Sequence, residues 1–327
     1  MSKLVTIYGG SGFVGRYIAR RMAKAGWRVR VAVRRPNEAM FVKTYGSVGQ
    51  VEPVFCNIRD DASVASVMTG ADAVVNCVGT FDARGRNSFE NIHVEGAGRI
   101  ARIAAAQGVG TMVHISALGA DIDGESQYAQ SKARGEEAVT EHMPQAVILR
   151  PSVIFGPEDQ FFNRFAGMAR LGPILPVVGG DTKFQPVYVD NVAEAAEMAV
   201  TGKAAPGVYE LGGPDVQTFT EWMHEMLAVI HRRRLVLNMP FFVGNLMAFG
   251  FTVMQYATLG LVKNKVITFD QVKSLRTDNV VSEGARTLAD LGITPTATEA
   301  VLPDYLWRFR PSGQYDEIME SAKNLRG

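Results

Sequence analysis

The sequence has few of the residues that bind metal ions or form disulfide bonds. Its 327 residues include two cysteines and five histidines. Cys56 and Cys77 do not form a C-x-x-C pair, and the histidines are scattered along the chain. We therefore expect no metal site and no disulfide, and we interpret both cysteines as buried strand residues of a protein in a reducing compartment.

An excess of charge of either sign is also lacking. The chain has 34 lysine and arginine residues against 33 aspartate and glutamate residues, which gives a formal net charge of +1. Because proteins that bind nucleic acids usually carry a basic excess, we expect no nucleic-acid partner. No basic and apolar export signal precedes the first strand-like run, KLVTIYGG, so the sequence predicts a protein that is not exported.

Apolar residues, by contrast, are abundant. Hydrophobic residues make up 47% of the chain and charged residues 20%, which allows a large core and argues against disorder. The length predicts about two domains. Short apolar runs alternate with helical patterns up to Gly156, as expected for parallel strands covered by helices on both faces. The predicted strands are 3–9, 28–34, 51–58, 71–79, 111–116 and 146–156, and the predicted helices between them are 12–27, 61–70, 91–109 and 128–143.

A glycine-rich loop follows the first strand and opens the first helix. Gly9, Gly12 and Gly15 form a G-x-x-G-x-x-G pattern in GGSGFVG. Gly9 permits the tight turn, Gly12 lets backbone N–H groups approach a pyrophosphate, and Gly15 permits close packing of helix and strand. The helix N-terminus then stabilises the anion. The predicted phosphate-binding residues are Gly9, Gly10, Ser11, Gly12, Phe13, Val14 and Gly15.

The loop and the six strands together predict an α/β protein with a Rossmann-type, doubly wound parallel sheet. After Gly156 the alternation ends, and residues 184–203 have the strand and helix pattern once more. We predict a dinucleotide-binding domain of residues 1–156 together with 184–203. Residues 157–183 and 204–327 are predicted to form a smaller, mostly helical lobe that contacts a partner or a membrane.

The end of the second strand selects the nucleotide. An acidic residue there would bind a ribose 2′-hydroxyl, but this sequence has Arg34 and Arg35. Guanidinium groups suit a 2′-phosphate, so we predict NADPH rather than NADH. Because ligands of such sheets bind at the carboxyl ends of the strands, further pocket residues follow from the other strands. These residues are Asn57 and Ile58 near the adenine, Val78 and Gly79 beside the ribose and pyrophosphate, and Ser116 at the end of the fifth strand.

A tyrosine and a lysine share one face of a predicted helix. Tyr128 and Lys132 stand four residues apart in YAQSK. A free tyrosine has a pKa of about 10, and a nearby ammonium group favours the phenolate that acid–base catalysis requires. Lys132 can equally bind the nicotinamide ribose in a nucleotide that never reacts. The spacing alone allows both roles, and Ser116 upstream favours a site of this type.

The chain resembles the extended short-chain dehydrogenases/reductases. The resemblance rests on GGSGFVG, Ser116, YAQSK and RPSVIFGP, and it covers about residues 1–230. It implies a nicotinamide cofactor and places Tyr128, Lys132 and Ser116 in the catalytic positions. It also implies that Pro151, Ser152 and Val153 close over the nicotinamide.

A narrower resemblance covers nearly the whole chain. Residues 155–195 and 268–315 are similar to the NADPH-binding, dehydrogenase-like accessory subunit of respiratory complex I, in a short form that fits an alphaproteobacterial protein. The resemblance implies a nucleotide held as a structural element, other complex I subunits as partners, and a peripheral position on the cytoplasmic face of the inner membrane. An active NADP-dependent reductase, epimerase or dehydratase acting on a small or nucleotide-linked substrate is the alternative.

One long stretch near the C-terminus has no charged residue. Residues 235–262 are long enough to span a bilayer, but Pro240 and several glycines interrupt them. A span would also place the last part of the chain across the membrane from the nucleotide-binding domain. We therefore favour a buried helix or a helix on a membrane surface or partner, and the basic residues His231 to Arg234 beside it favour anionic headgroups.

Overall fold

The computed structural model describes residues 2–81, 85, 87–257, 268–311 and 313–315. Its strands are β1 (Leu4–Tyr8), β2 (Arg28–Val33), β3 (Val51–Phe55), β4 (Ala73–Asn76), β5 (Thr111–Ile115), β6 (Val147–Pro151), β7 (Ile154–Phe155), β8 (Ile174–Val178), β9 (Lys183–Phe184), β10 (Val187–Tyr188), β11 (Gly207–Leu211), β12 (Gln217–Thr218) and β13 (Leu235–Met239). Its α-helices are α1 (Phe13–Lys24), α2 (Asp61–Met68), α3 (Glu95–Ala106), α4 (Gln127–His142), α5 (Phe162–Met168), α6 (Val189–Val200), α7 (Phe219–Val229), α8 (Phe241–Ala257), α9 (Phe269–Ser274) and α10 (Thr298–Leu306).

The main sheet has seven parallel strands in the order β11-β6-β5-β4-β1-β2-β3. The chain proceeds from β1 outward to β3 and then returns to β4 on the other side of β1. This reversal of direction is the topological switch point at which doubly wound sheets bind their ligands. The predicted fold class is confirmed. The long strand predicted at 146–156 is two strands, because β6 ends at Pro151 and β7 is a separate two-residue strand.

The strands are apolar because both faces of the sheet are covered. All five residues of β1 are buried, and so are all four of β4. On one face the side chains of Ile100, Met112 and Val139 belong to a fully buried cluster. Side-chain caps start two of the covering helices: Asp60 accepts a hydrogen bond from the backbone of α2, and Ser126 accepts one from that of α4.

The chain forms two compact units whose boundaries depart from the predicted ones. The first comprises residues 1–152, 189–212 and 281–295, and the second comprises 153–188, 213–280 and 296–327. Residues 204–212, predicted for the smaller lobe, join the first unit because β11 pairs with β6. Residues 281–295 join it because the Ser282 N–H donates to Glu210 and the Arg286 guanidinium stacks 4.4 Å from the Tyr209 ring centroid.

The second unit has its own aromatic core. Its centre is the fully buried Trp222 on α7, whose indole N–H donates to the Phe184 carbonyl at 3.1 Å. Phe162 and Phe219 lie in the same cluster. A capping box between Thr218 and Glu221 begins α7, which explains why the helix starts at this point.

The uncharged stretch at 235–262 divides into a strand and a helix. Residues 235–239 form β13, which pairs in parallel with β8, and α8 begins after Pro240. Residues 258–262 lie outside the described residues. Within the part of the chain that the structure describes, no helix combines the length and the apolar character needed to cross a membrane.

Candidate nucleotide site

The glycine-rich loop connects β1 to α1 at the switch point of the sheet. Gly9 has a φ of 74°, which a residue with a side chain rarely adopts, and its N–H donates to Ala32 at 2.9 Å. A Cβ atom on Gly15 would lie 2.5 Å from the Gly9 carbonyl oxygen and 2.6 Å from the Gly10 Cα. Among the described residues, no side chain caps α1, so its N-terminal N–H groups face the loop. This cradle fits a pyrophosphate.

Arg16, in the first turn of α1, is a residue near the glycine-rich loop that sequence reasoning missed. Its guanidinium donates to the carbonyls of Ser11 and Gly12 at 3.2 and 3.3 Å and lies 4.9 Å from the Phe41 ring centroid. These contacts hold a positive charge beside the turn that receives the phosphates. Its position directly after the last glycine of the motif was the available signal.

The two arginines predicted to select the nucleotide lie together at the end of β2. Arg34 and Arg35 are both exposed. Arg35 forms a surface ion pair with Glu38 at 3.0 Å. Such an exposed pair contributes little to stability, so an incoming phosphate can compete for the guanidinium.

A polar cavity opens at the carboxyl end of β3. It has a volume of about 350 Å³ and is lined by Asn57, Arg59, Asn91 and Glu95. That Asn57 lies near the adenine stays a prediction, and the other three lining residues were missed by sequence reasoning. The side chain of Ile58, also predicted near the adenine, packs in the hydrophobic core. It lies so close to Gly96 that a Cβ atom added to this glycine would be 3.0 Å from it.

The end of β4 brings the ribose-side residues close to Lys132. The Val78 N–H donates to the Asn76 side chain at 3.0 Å. A Cβ atom on Gly79 would lie 3.6 Å from Lys132 Nζ and 3.8 Å from His93 Nε2. Because Gly79 has no side chain, the space beside the Lys132 ammonium group stays open. The structure brings these predicted residues together.

Tyr128 and Lys132 lie on the first two turns of α4. Lys132 is 5% exposed, and its ammonium group donates to the Ile115 carbonyl at 3.2 Å and lies 6.0 Å from the Tyr128 ring centroid. Burial lowers the pKa of Lys132 to about 8. Burial also raises the pKa of Tyr128 well above its usual range. That the Lys132 ammonium favours the phenolate stays a prediction.

The Ser116 side chain follows β5 directly and contacts Glu136 on α4. Its hydroxyl donates to the buried Glu136 carboxylate, in a hydrogen bond that is very short. The same carboxylate accepts three hydrogen bonds from Arg150, the closest at 2.6 Å. The Ser116 hydroxyl therefore belongs to a buried ion-pair network one turn beyond Lys132 on α4.

The segment predicted to close over the nicotinamide divides between the units. Pro151 ends β6 and its carbonyl accepts a hydrogen bond from Leu118. Ser152 is buried, and its N–H donates to Leu211 at 2.9 Å. Val153 begins the second unit, where its N–H donates to the Asn279 side chain at 3.1 Å.

A π-helical turn before α3 places a histidine against this site. The turn spans Glu90–Val94, and such turns occur frequently at functional sites. The Thr80 N–H donates to His93 Nε2 at 3.0 Å, so Nδ1 carries the proton and donates to the Ser131 hydroxyl at 2.9 Å. Ser131 in turn donates to the Tyr128 carbonyl at 2.8 Å. His93 therefore links the loop after β4 to the helix that carries Tyr128, and it does so as a neutral imidazole.

The two buried histidines make stability depend on pH. Burial lowers the pKa of His93 to about 3 and that of His114 to about 3, from an ordinary value of 6.5. Between pH 6.5 and pH 3 the histidines of the unfolded chain bind protons that those of the folded protein do not. The free energy of unfolding therefore falls as the pH falls from 6.5 toward 3. Each histidine contributes a slope of about 1.4 kcal/mol per pH unit.

Replacing one of the two buried histidines should make the free energy of unfolding less dependent on pH. Glutamine retains a donor and an acceptor but does not titrate, so His93→Gln is expected to reduce the slope by about 1.4 kcal/mol per pH unit. Urea unfolding at pH 6, 5 and 4 measures the slope. The exposed His224→Gln is the matched control. A slope in His93→Gln equal to that of the unsubstituted protein contradicts the assignment of a buried neutral imidazole.

The side chains that could bind a metal ion are dispersed in the described part of the chain. There, no three histidine, cysteine, aspartate or glutamate side chains are grouped as a metal ion would require. Cys56 and Cys77 both have free thiols. Cys77 follows β4 directly, and burial raises its pKa to about 12, so this thiol is unreactive at neutral pH.

Comparison with known proteins gives three kinds of likeness. The model of the NAD dependent epimerase/dehydratase family matches residues 5–212. NADH dehydrogenase (ubiquinone) 1 alpha subcomplex subunit 9, mitochondrial, of Arabidopsis thaliana is 33% identical over 316 residues, which cover 95% of this chain and 79% of that protein. Ceramide reductase of Caulobacter vibrioides is 30% identical over 239 residues, covering 72% of this chain and 74% of the enzyme.

Among solved structures, MoeE5 in complex with UDP-glucose and NAD superposes with a TM-score of 0.69. The alignment covers 92% of this chain and 97% of that one, at 14% sequence identity. At this identity the likeness shows the fold alone.

Proposed function

Because the chain belongs to the NAD dependent epimerase/dehydratase family, we propose that it uses this fold to bind NADPH without turnover. Its role is that of an accessory subunit of the respiratory NADH:quinone oxidoreductase, complex I. The nucleotide acts as a structural element, since a ligand that binds only the folded state stabilises that state by mass action.

The extent of the match to the accessory-subunit relative carries this proposal. That match covers 95% of the chain and so includes the second unit, whereas the ceramide reductase match covers 72%. The second unit is the part that a nucleotide-binding fold does not require. A chain that keeps both units of the accessory subunit is best explained by the same role.

The chemistry of the site supports binding over catalysis. The Ser116 hydroxyl donates its hydrogen bond to the buried Glu136 carboxylate, so its proton is not available to a substrate oxygen. Lys132, next to Gly79, is placed to donate to a ribose hydroxyl. When bound, the nucleotide would supply a hydride donor, and this chain's residues would hold it rather than direct it to a substrate.

Co-purification tests the proposed role. A tagged copy of the chain is isolated from native membranes in mild detergent, and the proteins bound to it are identified by mass spectrometry. Subunits of NADH:quinone oxidoreductase are expected in stoichiometric amounts. Recovery of the protein alone in the soluble fraction would count against an accessory role.

The second candidate is an active NADP-dependent oxidoreductase. The retained Tyr128 and Lys132 favour it, and ceramide reductase is an enzyme relative. Its substrate would be a small or nucleotide-linked carbonyl compound. Steady NADPH consumption by the purified, unsubstituted protein with such a compound would favour this candidate.

We propose NADPH over NADH because Arg34 and Arg35 are exposed at the end of β2. Each charge-assisted hydrogen bond to a 2′-phosphate contributes about 1.5–3 kcal/mol. Arg34→Ala is therefore expected to weaken NADPH binding by about tenfold or more while leaving NADH binding unchanged. Isothermal titration with both nucleotides measures this, and Arg28→Ala, exposed at the opposite end of β2, is the control. An equal loss for both nucleotides contradicts the assignment.

We also propose a membrane contact by the second unit. Leu235 and Leu237 are exposed on β13, and Phe242, Leu246 and Phe249 form one exposed row on α8. The opposite side of α8 is anchored, because a Cβ atom on Gly244 would lie 2.8 Å from Val178. Such an exposed apolar row suits an anionic lipid surface, and Arg233, exposed just before β13 in the sequence, adds a positive charge to the same unit.

Polar substitutions on α8 should weaken that contact. Phe242→Ser with Leu246→Ser removes apolar area from the exposed row, so binding to vesicles containing anionic lipid is expected to fall about tenfold or more. Co-sedimentation with the vesicles measures the binding. Phe55→Ser, an exposed phenylalanine of the first unit, is the control. Equal loss in both variants, or no loss in either, argues against this surface.

A further inference from the structure

An aromatic cluster surrounds Tyr128, and the nucleotide site does not require it. The Phe81 ring stacks on the Tyr128 ring with centroids 4.9 Å apart and planes 20° apart. Phe89 meets Tyr128 edge-on at 5.9 Å, and His93 does so at 5.6 Å. Phe81 therefore covers one face of the tyrosine, while the other two rings lie against its edge.

Phe81 gains little burial of its own from this position. It is 69% exposed although it is a large apolar side chain. Its contact with Tyr128 removes tyrosine surface from solvent instead. An aromatic stack contributes about 0.5–1.5 kcal/mol beyond the area that it buries, which is enough to favour the stacked arrangement.

The backbone next to Phe81 is fixed from inside the protein. The Thr80 N–H donates to His93 Nε2, and the His93 ring is 2% exposed and bound to Ser131. The residue before Phe81 is thus tied to the same helix that carries Tyr128. The ring is held over the tyrosine by this hydrogen-bond relay as well as by stacking.

We propose that Phe81 shields Tyr128 from carbonyl substrates and thereby keeps a nucleotide-binding site of this family from turning over. The inference rests on the proposed function. The space that the Phe81 ring occupies suits an apolar ketone that carries a ring. With Phe81 removed, the carbonyl carbon would accept a hydride supplied by NADPH, which becomes NADP⁺. The carbonyl oxygen would take the Tyr128 proton, and solvent would restore that proton.

Nitration by tetranitromethane tests the shielding without requiring turnover. Tyr128 is expected to react about tenfold faster in Phe81→Ala than in the unsubstituted protein, in line with the loss of one aromatic stack. Peptide mass spectrometry measures the rate at each tyrosine. Tyr315, which is 59% exposed, reacts at the same rate in both proteins and serves as the internal reference. Phe242→Ala, an equally exposed phenylalanine elsewhere, is the matched variant.

Nitration in the presence of a ketone identifies the substrate class. Acetophenone, an apolar aromatic ketone, is expected to protect Tyr128 from nitration in Phe81→Ala and to have no effect in the unsubstituted protein. Phe81→Leu keeps the bulk but not the ring, so an intermediate rate is expected. Unchanged nitration in both Phe81 variants overturns the proposal, and so does a Tyr128 rate in the unsubstituted protein equal to that of Tyr315.

NADPH titration of the same proteins separates this inference from the proposed function. Phe81→Ala is expected to bind NADPH as well as the unsubstituted protein does, because the glycine-rich loop and Lys132 are intact. If the unsubstituted protein does not bind NADPH, the proposed function fails, while the nitration rates still decide whether Phe81 shields Tyr128.

Discussion

Gly15→Ala is expected to weaken NADPH binding severely. The added Cβ would lie 2.5 Å from the Gly9 carbonyl oxygen and 2.6 Å from the Gly10 Cα, so the loop must move away from α1. Overpacking of this kind costs about 1–3 kcal/mol, and the displaced N–H groups no longer converge on the phosphates. The expected loss of affinity is about 100-fold, equivalent to about 2.7 kcal/mol.

Isothermal titration with NADPH measures this loss, and a second glycine gives the control. A Cβ atom on Gly110 would lie 3.9 Å from the Asp72 carbonyl oxygen, so Gly110→Ala adds the same methyl group in ordinary contact. Gly110→Ala should bind NADPH normally. If Gly15→Ala does so too, the loop is not the phosphate cradle.

Gly135→Ala is expected to destabilise the first unit by about 3 kcal/mol, the upper end of the overpacking range. Its Cβ would lie 2.3 Å from the His93 carbonyl oxygen, at the place where α4 passes the π-helical turn. The added Cβ would be fixed to the backbone of α4 and would clash with the backbone of the π-helical turn, so the clash can be relieved only by moving α4 or the turn. Either movement disturbs the hydrogen bonds that join His93 to Thr80 and Ser131, so NADPH affinity should fall as well.

Denaturant unfolding measures the stability change, with Gly172→Ala as the reference because its Cβ would meet no atom of the described residues within 4 Å. Gly98→Ala provides an intermediate case, since its Cβ would lie 3.1 Å from the Ala138 Cβ. The expected order of stability loss is Gly135, then Gly98, then Gly172. A loss below about 1 kcal/mol in Gly135→Ala would mean that α4 does not pack on this turn as described.

The parts of the fold that follow from local pattern were predictable. Five buried residues in β1, then GGSGFVG, then the helix at Phe13 form one continuous signal, because the strand, turn and helix are adjacent in sequence. Tyr128 and Lys132 share a face through simple helical periodicity. The similarity to the complex I accessory subunit, which rested on residues 155–195 and 268–315, is confirmed by relatives that match the whole chain.

The parts that depend on distant contacts were not predictable. Ser116 and Arg150 both donate to Glu136 only because β5, α4 and β6 are neighbours in the fold. The return of residues 281–295 to the first unit depends on Glu210 and Arg286, for which no periodic pattern exists. The π-helical turn at His93 and the stack of Phe81 on Tyr128 are likewise set by packing, so neither spacing nor composition indicated them.

The most direct test of the central claim is the nucleotide content of the protein isolated within its native complex. The protein is purified with its partner subunits, and the nucleotide released on denaturation is identified and counted. The account predicts about one NADPH per copy, retained after extended dialysis, since a structural ligand stabilises the folded state while bound. NADP(H) that exchanges freely from a protein without respiratory partners would contradict it and would favour the enzyme.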